Sequence, residues 1–221
     1  MAPDTIWMTA TVTAYMAGLA ISRRSSSPFA NPVLIAITLL CVLITVTHTP
    51  PDRYLESTKP LTFLLGPATV ALALPLMREL QTIRRNWIPV CGAVISGGGV
   101  SIATSGLLAR AAGLPSELNA SIAPHSVTAP VAVLLADADG GLATVTMTCV
   151  LITGLIGSFC LPLMSKLFAS NNDKAAGFSA GVSAHALGIA RAMEISPTAA
   201  AFASTGMITN AIVTSLLLGL F

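Results

Sequence analysis

The chain has 221 residues, of which 54% are hydrophobic and only 9% charged, with a mean hydropathy of +0.81 and a net charge of +2. Soluble domains carry about 25% charged residues, so this chain cannot cover a water-facing surface and reads as one integral membrane domain over residues 1–221. The near-neutral charge and 5% aromatic content argue against a nucleic-acid partner, and the lack of a nucleophile elbow, a metal-ligand quartet or a nucleotide loop argues against an enzyme.

A membrane-crossing helix needs about 20 apolar residues. Six runs are predicted to be such helices: Thr5–Ser22, Pro32–Thr49, Pro60–Met77, Trp87–Ala109, Ala143–Phe168 and Pro197–Phe221. The first could pass for a signal peptide. However, Asp4 precedes it and Arg23-Arg24 follow it, the reverse of a basic n-region, so it is read as a retained span. Ser25 to Pro28 and Asn31-Pro32 punctuate the first loop.

The third run contains FLLGPATVALALPL, residues 63–76, with Gly66-Pro67 at its centre and Pro75 near its end. Pro67 removes one backbone donor and frees a carbonyl about a turn upstream. Gly66 permits close approach, and Thr69 adds a hydroxyl. The word is either a polar, anion-accepting fault or a plain proline kink packed against neighbours. In the fourth run, SGGGVS (96–101) reads as a close helix contact.

Two segments are apolar but interrupted, Ser116–Gly141 and Ala175–Met193. Each reads as a broken helix or a re-entrant hairpin, tolerated at membrane depth only where protein or a watery cavity satisfies the freed backbone. In the first, His125, Ser126 and Thr128 lead into Pro130. The second holds Ser183, His185 and Gly188, with Arg191 and Glu194 behind them as an interfacial ion pair. A half-helix N-terminus carries partial positive charge and free N–H groups, which suits a carboxylate. His125 is either a loop histidine or a ligand, and His185 either a bundle histidine or a proton carrier. Asp137 to Gly141 reads as a turn. Ser196-Pro197 is a helix start, and Thr205, Thr209 and Asn210 read as interhelical hydrogen-bonding groups. The four cysteines, Cys41, Cys91, Cys149 and Cys160, sit in apolar runs without CxxC spacing and read as small buried hydrophobes. No metal and no cofactor are expected.

Lys/Arg-rich loops face the cytoplasm. Arg23-Arg24 and Arg78, Arg84 and Arg85 therefore place the N-terminus outside. A full crossing by Ser116–Asp139 would put Asp137 and Asp139 inside and Lys166 and Lys174 outside. A hairpin that enters and returns brings the lysines to the cytoplasm, and the charge rule favours it. A weak repeat also appears between PATVALALPL and TAPVAVLLA, whose prolines are Pro67 and Pro130. Interrupted segments at matching places in two halves point to a transporter site near the midplane.

FLLGPATVALALPL, HSVTAPVAV (125–133) and SAHALGIARAMEI (183–195) resemble the LrgB/CidB family of bacterial membrane proteins. The order, spacing and length fit throughout, though the first two spans match only in hydropathy. The resemblance implies one of two roles. One is secondary transport of small monocarboxylates, of the pyruvate, glycolate or lactate class, as in a plastid glycolate/glycerate relative. The other is holin/antiholin-like control of murein hydrolases and lysis, beside a small LrgA/CidA-type partner. Carried onto this chain, the matching positions are Gly66, Pro67 and Thr69; Ser126, Thr128 and Pro130; and Ser183, His185 and Gly188. His125 stands where the family often has Lys, and Ile189 where it often has Thr, so a fixed cation becomes a titratable one.

The expectation is an all-α polytopic protein of the bacterial inner membrane, with six clear spans, two interrupted segments and an inverted repeat, acting as a homodimer. It moves a carboxylate and is not an enzyme. Coupling runs to protons through His185 or His125 rather than to sodium, because no buried carboxylate is evident to hold a cation.

Overall fold

The computed structural model describes residues 3–24, 31–71, 77, 80–167 and 172–219. Every regular element among them is an α-helix: α1 Pro3–Arg24, α2 Pro32–Val46, α3 Pro51–Ser57, α4 Lys59–Ala71, α5 Leu80–Arg85, α6 Trp87–Ala111, α7 Ser116–Ile122, α8 Ala129–Ala138, α9 Ala143–Leu167, α10 Asp173–Met193 and α11 Pro197–Leu218. Among the described residues, four stretches are long and apolar enough to cross a membrane, Thr5–Arg24, Trp87–Ala111, Ala143–Met164 and Pro197–Leu218. The chain forms two compact units, Met1–Ala71 and Leu72–Phe221.

In the first unit, α1 and α2 pack where Gly18 meets the carbonyl of Pro32, leaving no room for a Cβ. Trp7 of α1 lies edge-on to Tyr54 of α3 at 5.8 Å, and the Tyr54 hydroxyl meets that of Thr11 at 3.1 Å. Asn31 caps α2 by accepting from the N–H groups of Val33 and Leu34, with Pro32 in the first turn, as its sequence signature requires. At 15 residues, α2 is about 22 Å long, short of the roughly 30 Å hydrocarbon core. The expected span Pro32–Thr49 is therefore shortened.

The expected fault at Gly66-Pro67 is not a break among the described residues. α4 runs through Pro67 and stays helical to Ala71. Proline deletes one donor and strains one turn, and the remaining ladder holds because an apolar surrounding offers the backbone nothing better. Pro75 lies outside the described residues, as do the side chains of Gly66 and Thr69.

In the second unit the helices run in definite directions. Val90 and Val94 of α6 cluster with Phe178, and Gly97 faces Val182. α6 and the first half of α10 are thus parallel. Leu161 of α9 clusters with Ala180, and Gly157 abuts Ala184, so α9 is antiparallel to both. Gly177 and Gly181 press against the carbonyls of Ala199 and Ala203, with no space for a Cβ at either. α11 therefore runs parallel to the first half of α10, at the close approach that small residues permit.

Two consequences follow. α6 starts, α9 ends and α10 starts at one end of the unit, and α7 and α8 fill the connection at the other. The first end carries Arg84, Arg85, Lys166, Lys174 and Arg191 against Asp173 and Glu194; the other carries Arg110 against Glu117, Asp137 and Asp139. Arg191 and Glu194 form the expected i, i+3 ion pair. Asp139 ends α8 and Gly140 takes φ 75°, so the expected turn falls at Asp139 and Gly140, with Asp137 still in the last turn of α8. Ser196 caps α11 by accepting from Ala199 N–H, with Pro197 in the first turn.

Candidate functional site

Both interrupted segments break at a histidine. α7 stops at Ile122, residues 123–128 are non-helical, and α8 begins at Ala129. The buried Pro124 cannot donate to a helix ladder. His125 Nδ1 sits 2.9 Å from the Ile122 carbonyl and Nε2 3.2 Å from Ser101 Oγ on α6. A carbonyl only accepts, so Nδ1 carries a proton; in the neutral ring, Nε2 accepts from the Ser101 hydroxyl. Thr128 is the extended residue before α8, and its side chain makes no capping bond. The first N–H groups of α8 are left without a side-chain acceptor, with Pro130 in the first turn.

The second break is sharper. α10 is two helical pieces joined at His185, whose φ is 41° and ψ −124°. That conformation belongs to the first central residue of a type II′ turn, a position that favours glycine. The chain reverses there. Gly188 comes against the carbonyl of Ala180, eight residues earlier, so closely that a Cβ would overlap it. A straight helix would hold these residues about 12 Å apart. Ile189 and Ala192 then pack in the same cluster as Ala180, Ala199 and Ala203. His185 is buried, and its Nε2 donates to the Val150 carbonyl of α9 at 3.0 Å.

Asn210, midway along α11, joins the two breaks. Its Nδ2 donates to the Ser126 carbonyl at 2.9 Å and to the Val182 carbonyl at 3.2 Å, with Ser126 Oγ at 3.5 Å. Its Oδ1 accepts from Thr214 at 3.5 Å. Gly98 of α6 makes room, since a Cβ there would lie 3.0 Å from Asn210 Oδ1. A non-helical residue at 185 takes nearby carbonyls out of the helix ladder, and the amide supplies Val182 with a substitute donor.

Of the residues singled out in the sequence, His125, Ser126, Thr128, His185 and Gly188 belong to the two breaks. Ser183 lies one residue beyond Val182, but its hydroxyl donates to Ser179 of its own helix. It lines a groove of about 920 Å³ that also takes in Gly97 and Gly157. Pro130 is exposed. Gly66, Pro67 and Thr69 belong to the other unit. Thr205 and Thr209 bond to their own helix rather than across to another. The groups that the sequence did not nominate are Gly98 and Gly154 as the spaces and Ser101 as the partner of His125. Asn210 is the interhelical hydrogen-bonding group expected of it, though its place as the junction of the two breaks was not expected. A lone asparagine in an apolar span was the available signal. No group of three or more His, Cys, Asp or Glu side chains capable of holding a metal occurs among the described residues.

Gly154 gives a direct handle on the second break. A Cβ there would lie 2.5 Å from His185 Cε1 and 2.9 Å from Nε2. Gly154→Ala is expected to push the imidazole off the Val150 carbonyl while leaving every polar group in place. Histidine NMR chemical shifts of the variant should move at His185 and stay unchanged at His48 in the other unit.

Helices of crossing length, a basic and an acidic end, and two broken elements joined at a polar centre define a multi-pass helical membrane protein. The chain belongs to the LrgB-like family, whose model matches residues 11–221. It is 32% identical to an uncharacterized protein of Haemophilus influenzae over 94% of this chain and 90% of that one. It is 33% identical to the uncharacterized protein YxaC of Bacillus subtilis, over 93% and 89%. It is 27% identical to the antiholin-like protein LrgB of Bacillus mycoides, over 94% and 91%. No solved structure gives a significant match.

Proposed function

We propose that this protein is a secondary transporter of small monocarboxylates in the bacterial inner membrane, of the pyruvate, glycolate or lactate class. The observation that carries the reading is the meeting of two broken elements at Asn210. In this reading the basic end of the second unit is cytoplasmic. The segment 116–142 enters and returns from outside, and α10 enters and returns from the cytoplasm. Their tips meet near the midplane, where half-helix ends serve as ion and anion sites in transporters. The substrate carboxylate docks at the uncapped start of α8, beside His125, Ser126 and Thr128, and His185 carries the coupled proton. An LrgA-type partner and a homodimer belong to the same proposal.

The test is uptake into proteoliposomes, with and without an LrgA-type partner. Saturable flux of a two- or three-carbon acid is expected, and Thr128→Val should raise the half-saturating concentration about tenfold or more, the value of one hydrogen bond to a charged ligand. Absence of flux in both conditions overturns the reading. The topology has its own check: Lys174→Cys should label only from the cytoplasm and Asp139→Cys only from outside. Labelling of both from one side removes the opposed hairpins.

The second reading is antiholin-like control of lysis, supported by the antiholin-like name of relatives at 27% identity. It predicts altered autolysis on deletion with unchanged acid uptake. Two breaks held by one buried amide favour transport, because a lysis regulator has no need of a built polar centre inside a single chain.

A further inference from the structure

A groove of about 920 Å³ runs beside α10. Its walls come from α6, α9, α10 and α11, and apolar side chains such as Val90, Ala93, Leu161, Phe178 and Phe202 make up most of them. A two- or three-carbon acid has no apolar body to fill such a chamber. One end differs. Lys174 lines it, with its ammonium 5.6 Å from the centre of the Phe202 ring, and it pairs with no carboxylate among the described residues. Asn86 and Asn172, which precede α6 and α10, line the groove with it. Two parallel helices thus begin at this end, each adding partial positive charge. Arg84 and Arg85 immediately precede Asn86, and Lys166 closes α9 at the same end. Met164, which is 38% exposed, forms part of the wall, so the groove opens onto the apolar flank of α9.

We propose that this groove holds an anionic glycerophospholipid of the bilayer, its acyl chains along the apolar wall and its phosphate at Lys174. A long apolar channel ending in cations matches that amphiphile in both of its parts. Basic recesses between membrane helices on the side of the Lys/Arg-rich loops recognise anionic headgroups. The lipid would brace α10 against α6 and α9, beneath the His185 turn.

Cys160 lines the groove and serves as the reporter. The full chain with Cys41, Cys91 and Cys149 replaced by Ser is purified in detergent, and Cys160 is labelled with a maleimide. Phosphatidylglycerol is expected to slow labelling strongly, phosphatidylcholine weakly. Lys174→Gln should reduce the protection by phosphatidylglycerol about fivefold, and Lys174→Arg should keep it. Ala93→Phe, which fills the wall, should slow labelling without lipid and abolish the further effect of adding it. Equal protection by both lipids, or by neither, overturns the proposal. So does protection by glycerol 1-phosphate alone, which would make the end a small-anion site. Cross-linking of two chains through Cys160, with no lipid protection, would assign the groove to a second copy. None of these arms measures acid flux, so the lipid site and the transport reading fail separately.

Discussion

Replacing His185 with glycine is expected to leave the protein close to the parent in stability and to abolish proton-driven accumulation of substrate. The residue holds φ 41° and ψ −124°, where a side chain is strained by about 1–3 kcal/mol. Glycine removes that strain. Its costs are the bond from Nε2 to the Val150 carbonyl, worth about 1 kcal/mol net, and the contacts of the buried ring. The relief of strain offsets much of this loss. His185→Ala keeps the strain and loses the bond, so it should be the less stable of the pair. His185→Gln retains a donor but cannot titrate near pH 6.5, where an unperturbed histidine changes charge. It should flatten the pH dependence of uptake while exchange of substrate across the membrane survives. The checks are thermal unfolding in detergent and uptake under an imposed pH gradient. Accumulation by His185→Gln with an unchanged pH profile would move the proton path elsewhere. A large loss of stability in His185→Gly would make the imidazole structural.

The second large effect is expected at Asn210. Its amide donates to carbonyls on both broken elements, and the residue is fully buried. Asn210→Leu strands both carbonyls, at about 1–3 kcal/mol each, so a loss of about 2–6 kcal/mol is expected. Asn210→Asp should be worse still, because it sets carboxylate oxygens against carbonyl oxygens. Gly98→Ala should reproduce part of the loss with the amide intact, since its Cβ would press on Oδ1. Unfolding midpoints and transport rates should fall together in the order Gly98→Ala, Asn210→Leu, Asn210→Asp. A stable, active Asn210→Leu would mean that the two breaks are held by other contacts and that the polar centre is incidental.

Local chemistry made part of this protein legible from its sequence. Helicity and membrane character follow from composition, because a chain with 9% charged residues has no other solvent to fold in. Helix starts at Asn31-Pro32 and Ser196-Pro197 are written in adjacent residues, since a cap and a first-turn proline act within one turn. The interruption at 123–128 is likewise local, with Pro124 inside it and Pro130 in the first turn of the helix that follows. Proline at 67 left two outcomes open by the same logic, a polar fault or a plain kink. Which one forms depends on the rest of the ladder, and α4 runs through Pro67 to Ala71.

Tertiary structure decided the rest. No glycine or proline marks residue 185, and histidine is a poor choice for its backbone angles. Only the fit of Gly188 against Ala180, of the ring over Gly154, and of α11 along the first half of α10 overcomes that preference. Asn210 and Ser126 are separated by 84 residues and Asn210 and Val182 by 28. No short-range pattern encodes such pairings. They arise because a buried amide and freed carbonyls must find one another once packing has excluded every other partner.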